Sequence, residues 1–290
     1  MTEVACVLDA KASLGEGPIW DAADRALYWV DIKGHAIHRF DPASGQDQAW
    51  PTAEDIGSLA LREGGGLVTA TASGFGFHDL DNGQRTPIVD PEPGLAKNRF
   101  NDGKPDRRGR FWAASMDDAE REPTGALYRL DPDLSCHRMV GEVICSNGLC
   151  WSPDERILYF ADSIRHMVWR WDFEPEAGTI SNRRVFLEID PAMGDPDGAT
   201  VDAEGHYWLA QWGGWRIARY DPDGRRERTV EMPVAQPTCP AFGGPDLDVL
   251  YVTTARFGLD AAALAKQPQA GGIFAIDAGV KGIAERRFAG

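Results

Sequence analysis

The sequence predicts an all-β fold, a six-bladed β-propeller with four-stranded blades, built as one domain over residues 1–290. Three observations carry this reading. The 290 residues include 32 Gly, 19 Pro and 10% aromatic residues, without sustained apolar recurrence at i, i+3, i+4 and i+7, which favours many short strands joined by tight turns. An apolar, aromatic run recurs six times, anchored at Tyr28, Leu67, Phe111, Tyr159, Tyr207 and Tyr251, at intervals of 39 to 48 residues. Each interval has room for four strands, and four strands at a period of about 45 residues describe a propeller blade.

Within each unit the order repeats. A short strand such as Pro18-Ile19-Trp20 or Leu149-Cys150-Trp151 comes first. A turn rich in Asp, Gly and Pro follows, as in Asp21-Ala22-Ala23-Asp24 or Asp202-Ala203-Glu204-Gly205, residues that supply the backbone angles of hairpin turns. The anchor strand comes next, then a third strand (Ile37 to Phe40, Ile217 to Tyr220) and a fourth (Arg184 to Leu187). The last unit carries an insertion, Asp260 to Lys266, long enough for a short helix. Two segments compete to close the ring as its outer strand: Val4 to Leu8, and the residues around Arg286-Arg287-Phe288.

Charge excludes some functions. A formal net charge of −15 opposes a phosphate backbone, so no nucleic-acid partner is expected. No stretch reaches the length of a bilayer-spanning helix, and the N-terminus, Met1 to Asp9, has acidic residues where a signal peptide would carry a basic flank. The expectation is a cytoplasmic protein without a membrane partner, its oligomeric state unspecified. Five cysteines without C-x-x-C spacing read as reduced, structural thiols.

The first strand of each blade lines the channel of a propeller, so polar residues at one offset before the anchors converge at one mouth. Twelve residues back lie Glu16, Asp55, Arg99, Asn147, Asp195 and Cys239; ten back lie Asn101 and Asp197. Taken singly, Asn147-Gly148 and Asp197-Gly198 are ordinary turn pairs. Their coincidence at one rim gives them weight. Glu16, Asn147 and Asp197 form an all-oxygen set suited to a hard divalent cation with open coordination positions. The structural alternative is a hydrogen-bonded rim with the carboxylates paired to Arg99 and Lys104. The six histidines fall away from this offset, no phosphate loop or Gly-x-Ser-x-Gly element is present, and Trp212-Gly213-Gly214-Trp215 reads as strand packing ahead of a sugar platform. Asp102 and Lys104 read as blade packing or rim salt bridges.

The motifs Leu14-Gly15-Glu16-Gly17-Pro18, Asn98-Arg99-Phe100-Asn101-Asp102-Gly103-Lys104, Gly125-Ala126-Leu127-Tyr128, Ser146-Asn147-Gly148-Leu149 and Pro196-Asp197-Gly198 resemble, in order and over nearly the whole chain, the senescence-marker-protein, regucalcin and gluconolactonase family. Ala210 to Trp215 and Phe242 to Leu247 look most like its bacterial aldonolactonases. The resemblance implies one divalent metal ion (Ca, Zn, Mn, Fe or Mg) held by Glu16, Asn147 and Asp197. It implies substrate contacts from Arg99 and Asn101, with Asp197 as acid/base. An acidic substrate contact after Met116 is assigned to Asp118. The implied reaction opens a sugar lactone, a pentonolactone (xylono- or arabinonolactone) or gluconolactone, to the aldonic acid. The alternative is a non-catalytic or regulatory cation-binding propeller. A metal-bound carboxylate is a weak base, so the proton acceptor is either Asp197 or a metal-bound water.

Overall fold

The structure of the protein, a computed structural model, describes residues 3–290. Its 24 strands form six four-stranded antiparallel sheets. Strand β1 (Val4–Leu8) precedes blade 1, which contains β2 (Gly15–Asp21), β3 (Ala26–Asp31), β4 (Ala36–Asp41) and β5 (Gln46–Pro51). Blade 2 contains β6 (Ile56–Leu61), β7 (Leu67–Thr71), β8 (Gly74–His78) and β9 (Arg85–Val89). Blade 3 contains β10 (Asn98–Pro105), β11 (Phe111–Asp117), β12 (Gly125–Leu130) and β13 (Cys136–Val143). Blade 4 contains β14 (Ser146–Trp151), β15 (Ile157–Asp162), β16 (Met167–Glu174) and β17 (Thr179–Glu188), and blade 5 contains β18 (Asp195–Val201), β19 (Tyr207–Trp212), β20 (Arg216–Tyr220) and β21 (Arg226–Glu231). Blade 6 contains β22 (Pro237–Gly243), β23 (Val249–Thr254) and β24 (Ile273–Asp277), with β1 as its outer strand.

All six anchors fall on the second strand of a blade, as the repeat predicts. These strands read as unbroken apolar runs because each blade is sandwiched between neighbours and buries both faces. The residue after each anchor is Trp29, Val68, Trp112, Phe160, Trp208 or Val252, and none is more than 1% exposed. Two of the tryptophans are also tied to the preceding turn: Trp112 and Trp208 donate their indole N–H to Asp106 and Asp202, each at 2.8 Å. The insertion in blade 6 forms the helix α1 (Ala261–Lys266), N-capped by Asp260, whose carboxylate accepts from the Ala263 N–H.

Ring closure falls to β1, which pairs with β24 from Val4↔Ile276 to Leu8↔Ile273. The competing C-terminal segment is not an outer strand. It crosses the lower end of the channel, where the first and second strands of the blades turn. Gly282 N–H donates to Leu247 O, Ala203 N–H to Lys281 O, Phe288 N–H to Leu61 O and Ala289 N–H to Gly109 O. Arg287 reaches Asp21 at 2.6 Å. The tail thus ties blades 6, 5, 2, 3 and 1 together across the floor. Among the described residues, no helix is long and apolar enough to cross a membrane.

Phe288 is the apolar anchor of this tail, fully buried in the cluster shared by blades 1, 2 and 3. Truncating such a residue leaves a cavity. Phe288→Ala is expected to cost about 3 kcal/mol, measured by denaturant unfolding, and a loss below about 1 kcal/mol would show that the floor does not depend on it.

Candidate active site

The six inner strands share one irregularity. Each shifts register against its neighbour at the upper end, between Glu16 and Ile19, Ile56 and Ser58, Phe100 and Gly103, Asn147 and Cys150, Pro196 and Ala199, and Pro237 and Pro240. A bulge inserts extra residues and re-aims the side chains beside it. Glu16 and Asn147 immediately precede their bulges, whereas Asn101 and Asp197 lie inside theirs. This explains why a fixed offset selects Glu16 and Asn147 but lands on Asp195 in blade 5, two residues short. Gly148 is required at its bulge: its φ is +63°, and a Cβ there would lie 2.5 Å from the Tyr207 hydroxyl.

The lead-in to two of these strands is braced from the neighbouring strand end. Asp31, closing β3, accepts from the Ser13, Leu14 and Gly34 N–H groups at 2.8 to 2.9 Å. Asp162, closing β15, accepts from Ile144 N–H at 2.9 Å. The segments bearing Glu16 and Asn147 are therefore held by backbone donors before they reach the channel.

Glu16, Arg99, Asn101, Asn147 and Asp197 are all at most 6% exposed. One network links four of them to the mouth. Arg99 donates to Asp118 at 2.5 Å and to the Asn101 amide oxygen at 2.7 Å. Asn101 donates to the Asn147 oxygen at 3.1 Å and to Ser146 O at 2.7 Å. Asn147 directs its own nitrogen to Ser163 at 2.8 Å, and Ser163 donates to Pro196 O, beside Asp197, at 2.6 Å. With the nitrogen so engaged, the Asn147 amide oxygen is left toward Asn101 and the channel. Asp118 sits at the rim, its side chain 46% exposed. Burial raises its carboxyl, but hydrogen bonds from Lys33 and Arg99 outweigh that and lower it.

Glu16 and Asp197, like the buried Asp102 in the channel wall, have no direct counter-ion from the protein. Among the described residues, no Lys, Arg or His nitrogen lies within 4.0 Å of either carboxylate. The expected structural alternative, pairing to Arg99 and Lys104, is therefore not realised. Arg99 turns to Asp118, and Lys104 donates to Ala199 O at 2.6 Å. Burial and the charge of Asp102 push Glu16 up to about 8. Burial, then the charges of Glu16 and Asp102, hold Asp197 well above the carboxylate range. Two buried acids without a protein cation, beside an amide oxygen, are a donor set that a hard divalent cation fits.

Other expectations fare differently. Lys104 and Asp102 are neither rim salt bridges nor packing alone. Both are buried in the channel wall, where Asp102 accepts the Leu149 N–H at 2.8 Å. His35 does reach the mouth, its ring nitrogen 2.7 Å from Asp55, although the offset argument had set all histidines aside. Trp212 packs partly buried against the core of blades 1 to 3, while Trp215 is exposed. Lys33 was not singled out in the sequence; it bonds Asp55 at 2.6 Å and Asp118 at 2.8 Å. Its signal was position alone, two residues after the Asp closing β3. A second acidic group, Asp202, Glu204 and His206, lies at the lower turns. Arg219 already binds both of its carboxylates, at 2.7 and 2.6 Å.

Residues 14–256 match the model of the SMP-30/Gluconolactonase/LRE-like region. The chain is 40% identical over 294 residues to a regucalcin of Danio rerio, covering 99% of each. It is 37% identical over 286 residues to a 6-deoxy-6-sulfogluconolactonase of Pseudomonas putida, covering 98% of each. Animal and bacterial relatives thus match at similar identity. A solved structure of a calcium-binding protein, regucalcin, from Agrobacterium tumefaciens superposes with a TM-score of 0.95 at 30% identity, covering 99% of this chain and 97% of that one. On the matched family model, these relatives and the shared fold, the chain belongs to the SMP-30/gluconolactonase/LRE-like family.

Proposed function

We propose that the protein is a divalent-metal-dependent lactonase that hydrolyses a sugar aldonolactone, a pentonolactone or gluconolactone, to the aldonic acid. The observation that carries the proposal is the buried, unpaired acid pair Glu16 and Asp197 facing a network of hydrogen-bond donors. The lactonase among the relatives supports the same reading.

Glu16, Asp197 and the Asn147 amide oxygen would hold the cation. When bound, it supplies Lewis-acid polarisation of the lactone carbonyl. The remaining work belongs to the chain. Arg99 has one guanidinium nitrogen beyond those on Asp118, Asn101 and Phe100 O, and it donates to substrate oxygens. Arg99 is preorganised by those bonds, so little reorganisation accompanies binding. Asn101 faces the same space and fixes the lactone ring beside the carboxylates. Asp118, exposed at the rim, accepts from sugar hydroxyls.

Asp197 takes a proton from the water that attacks the carbonyl carbon. The acyl–oxygen bond of the ring then breaks, and the ring oxygen leaves as a hydroxyl after receiving a proton. Burial and the charges of Glu16 and Asp102 raise the proton affinity of Asp197, and a bound cation would offset part of that rise. With the cation in place the carboxylate would be ionised and would retain enough basicity to accept the proton.

A second reading has one specific support, the calcium-binding relative: a propeller that holds its cation on the same three residues without turnover. Acid release from a lactone panel, corrected for spontaneous opening, separates the two readings. After chelation and reloading with Ca²⁺, Mn²⁺, Zn²⁺ or Fe²⁺, at least one metal is expected to restore activity. A background rate with every metal would leave cation binding alone. Asp197→Asn is expected to lower kcat by at least about a hundredfold while the metal-free variant stays as stable as the parent, since it removes one of two repelling acids. Retention of full kcat would overturn the assignment.

The acid pair also sets a pH dependence. Folding raises Glu16 from an ordinary 4.5 to about 8, so the folded, metal-free protein holds protons that the unfolded chain has released. Its stability from this pair is greatest below about 4.5 and falls as pH rises through about 8. Thermal unfolding from pH 5 to 9 should show that fall without cation and a smaller one with it, together with proton release on cation binding. A flat difference between the two curves would contradict it.

A further inference from the structure

Four charged side chains at the mouth close on one another. Lys33, in the turn after β3, lies 2.6 Å from Asp55 and 2.8 Å from Asp118. Arg99, on β10, lies 2.5 Å from Asp118 and 4.0 Å from Asp55. Cation and carboxylate therefore alternate around a ring contributed by blades 1, 2 and 3. Lys33, Asp55 and Arg99 are 20%, 16% and 7% exposed in their side chains and Asp118, at the rim, 46%, so three of the four members are screened less than a surface pair. Neither cation faces the channel without a carboxylate partner.

This arrangement has a consequence for substrate charge. An anionic substituent approaching Arg99 has two options. It displaces Asp118 and breaks that carboxylate's bonds to both cations, or it sits beside two carboxylates that are already there. Either is unfavourable, whereas a hydroxyl can donate to Asp118 and accept from Arg99 without changing the charge of the ring.

We propose that Lys33 and Asp55 are positioning residues that set substrate specificity: by closing a balanced ring with Arg99 and Asp118, they make the site take lactones without an ionised substituent and reject those bearing a carboxylate, sulfonate or phosphate. The proposal rests on the lactonase reading. It adds a discrimination and assigns it to two residues outside the cation and acid/base set.

The test compares D-glucono-1,4-lactone with D-glucaro-1,4-lactone, which share a ring and differ by a terminal hydroxymethyl or carboxylate. The parent enzyme is expected to favour the neutral lactone at least about tenfold in kcat/KM. Asp55→Asn leaves a net positive ring and should shift that ratio about fivefold toward the anion. Lys33→Gln leaves a net negative ring and should shift it the other way. Both shifts should appear in KM more than in kcat and shrink in 0.5 M KCl. Simple structural damage would move both variants in the same direction, so parallel or absent shifts overturn the proposal, as does equal use of both lactones by the parent. If the parent opens neither of these nor any lactone of the panel above, the lactonase reading fails. The rise in Tm caused by each intact lactone then reads the same preference, and equal rises overturn the charge ring on its own.

Discussion

The carboxylates of Glu16 and Asp197, buried at the channel mouth without a direct protein cation, are the constraint around which the upper half of the propeller is arranged. Ionised acids in such a place repel one another and lose hydration, so their backbones must be fixed by other bonds. The structure supplies these at each step. Thr238 donates to Gly15 O at 2.6 Å beside Glu16, and Ser163 spans from Asn147 to the backbone before Asp197. Lys104, from blade 3, holds Ala199 O in blade 5. The bonds run between blades, so the geometry of the site is a property of ring closure.

The same constraint explains the division of the channel. The upper end holds the acids with amide donors, Arg99 and Lys33, and the lower end holds Lys104 and the tail. Lys104 is buried, with Glu285 of the tail and Asp102 contributing negative charge around it, and the net effect raises its ammonium above the ordinary value. It stays charged and leaves Glu16 and Asp197 without direct pairing. The tail, pinned by its backbone hydrogen bonds and by buried Phe288, covers this end of the channel, and charges withdrawn from water act more strongly on one another.

Much of this was legible in the sequence, and what was not has identifiable causes. The blades were legible because both faces of each second strand are buried, giving apolar runs such as Leu158-Tyr159-Phe160-Ala161 at a regular spacing. Glu16 and Asn147 were legible because they precede their bulges at one offset. Asp197 was found through its glycine neighbour and its resemblance, since its place inside a bulge breaks the offset. Lys33 and the role of Asp55 were hidden because their partners lie in other blades, 22 and 85 residues away for Lys33. The role of the tail stayed open in the sequence because an apolar residue after two arginines carries no sign of which edge or floor it meets.

These differences between what is local and what is not bear on how one scaffold can serve several lactones. Residues that the bulges aim, Glu16, Asn101, Asn147 and Asp197, are fixed by backbone geometry repeated in all six blades, so they change little without disturbing the ring. Lys33, Asp55 and Asp118 reach the mouth from turns and strand ends, where substitution costs little backbone order. Charge at the mouth can therefore be exchanged while the buried acid pair is kept. On the proposed reading, a single ring position altered from carboxylate to amide would change the charge that a substrate meets, away from the buried acids assigned to the chemistry. On the proposed reading the separation follows from the architecture itself: inner strands would set the reaction, and the turns above them would set which lactone reaches it.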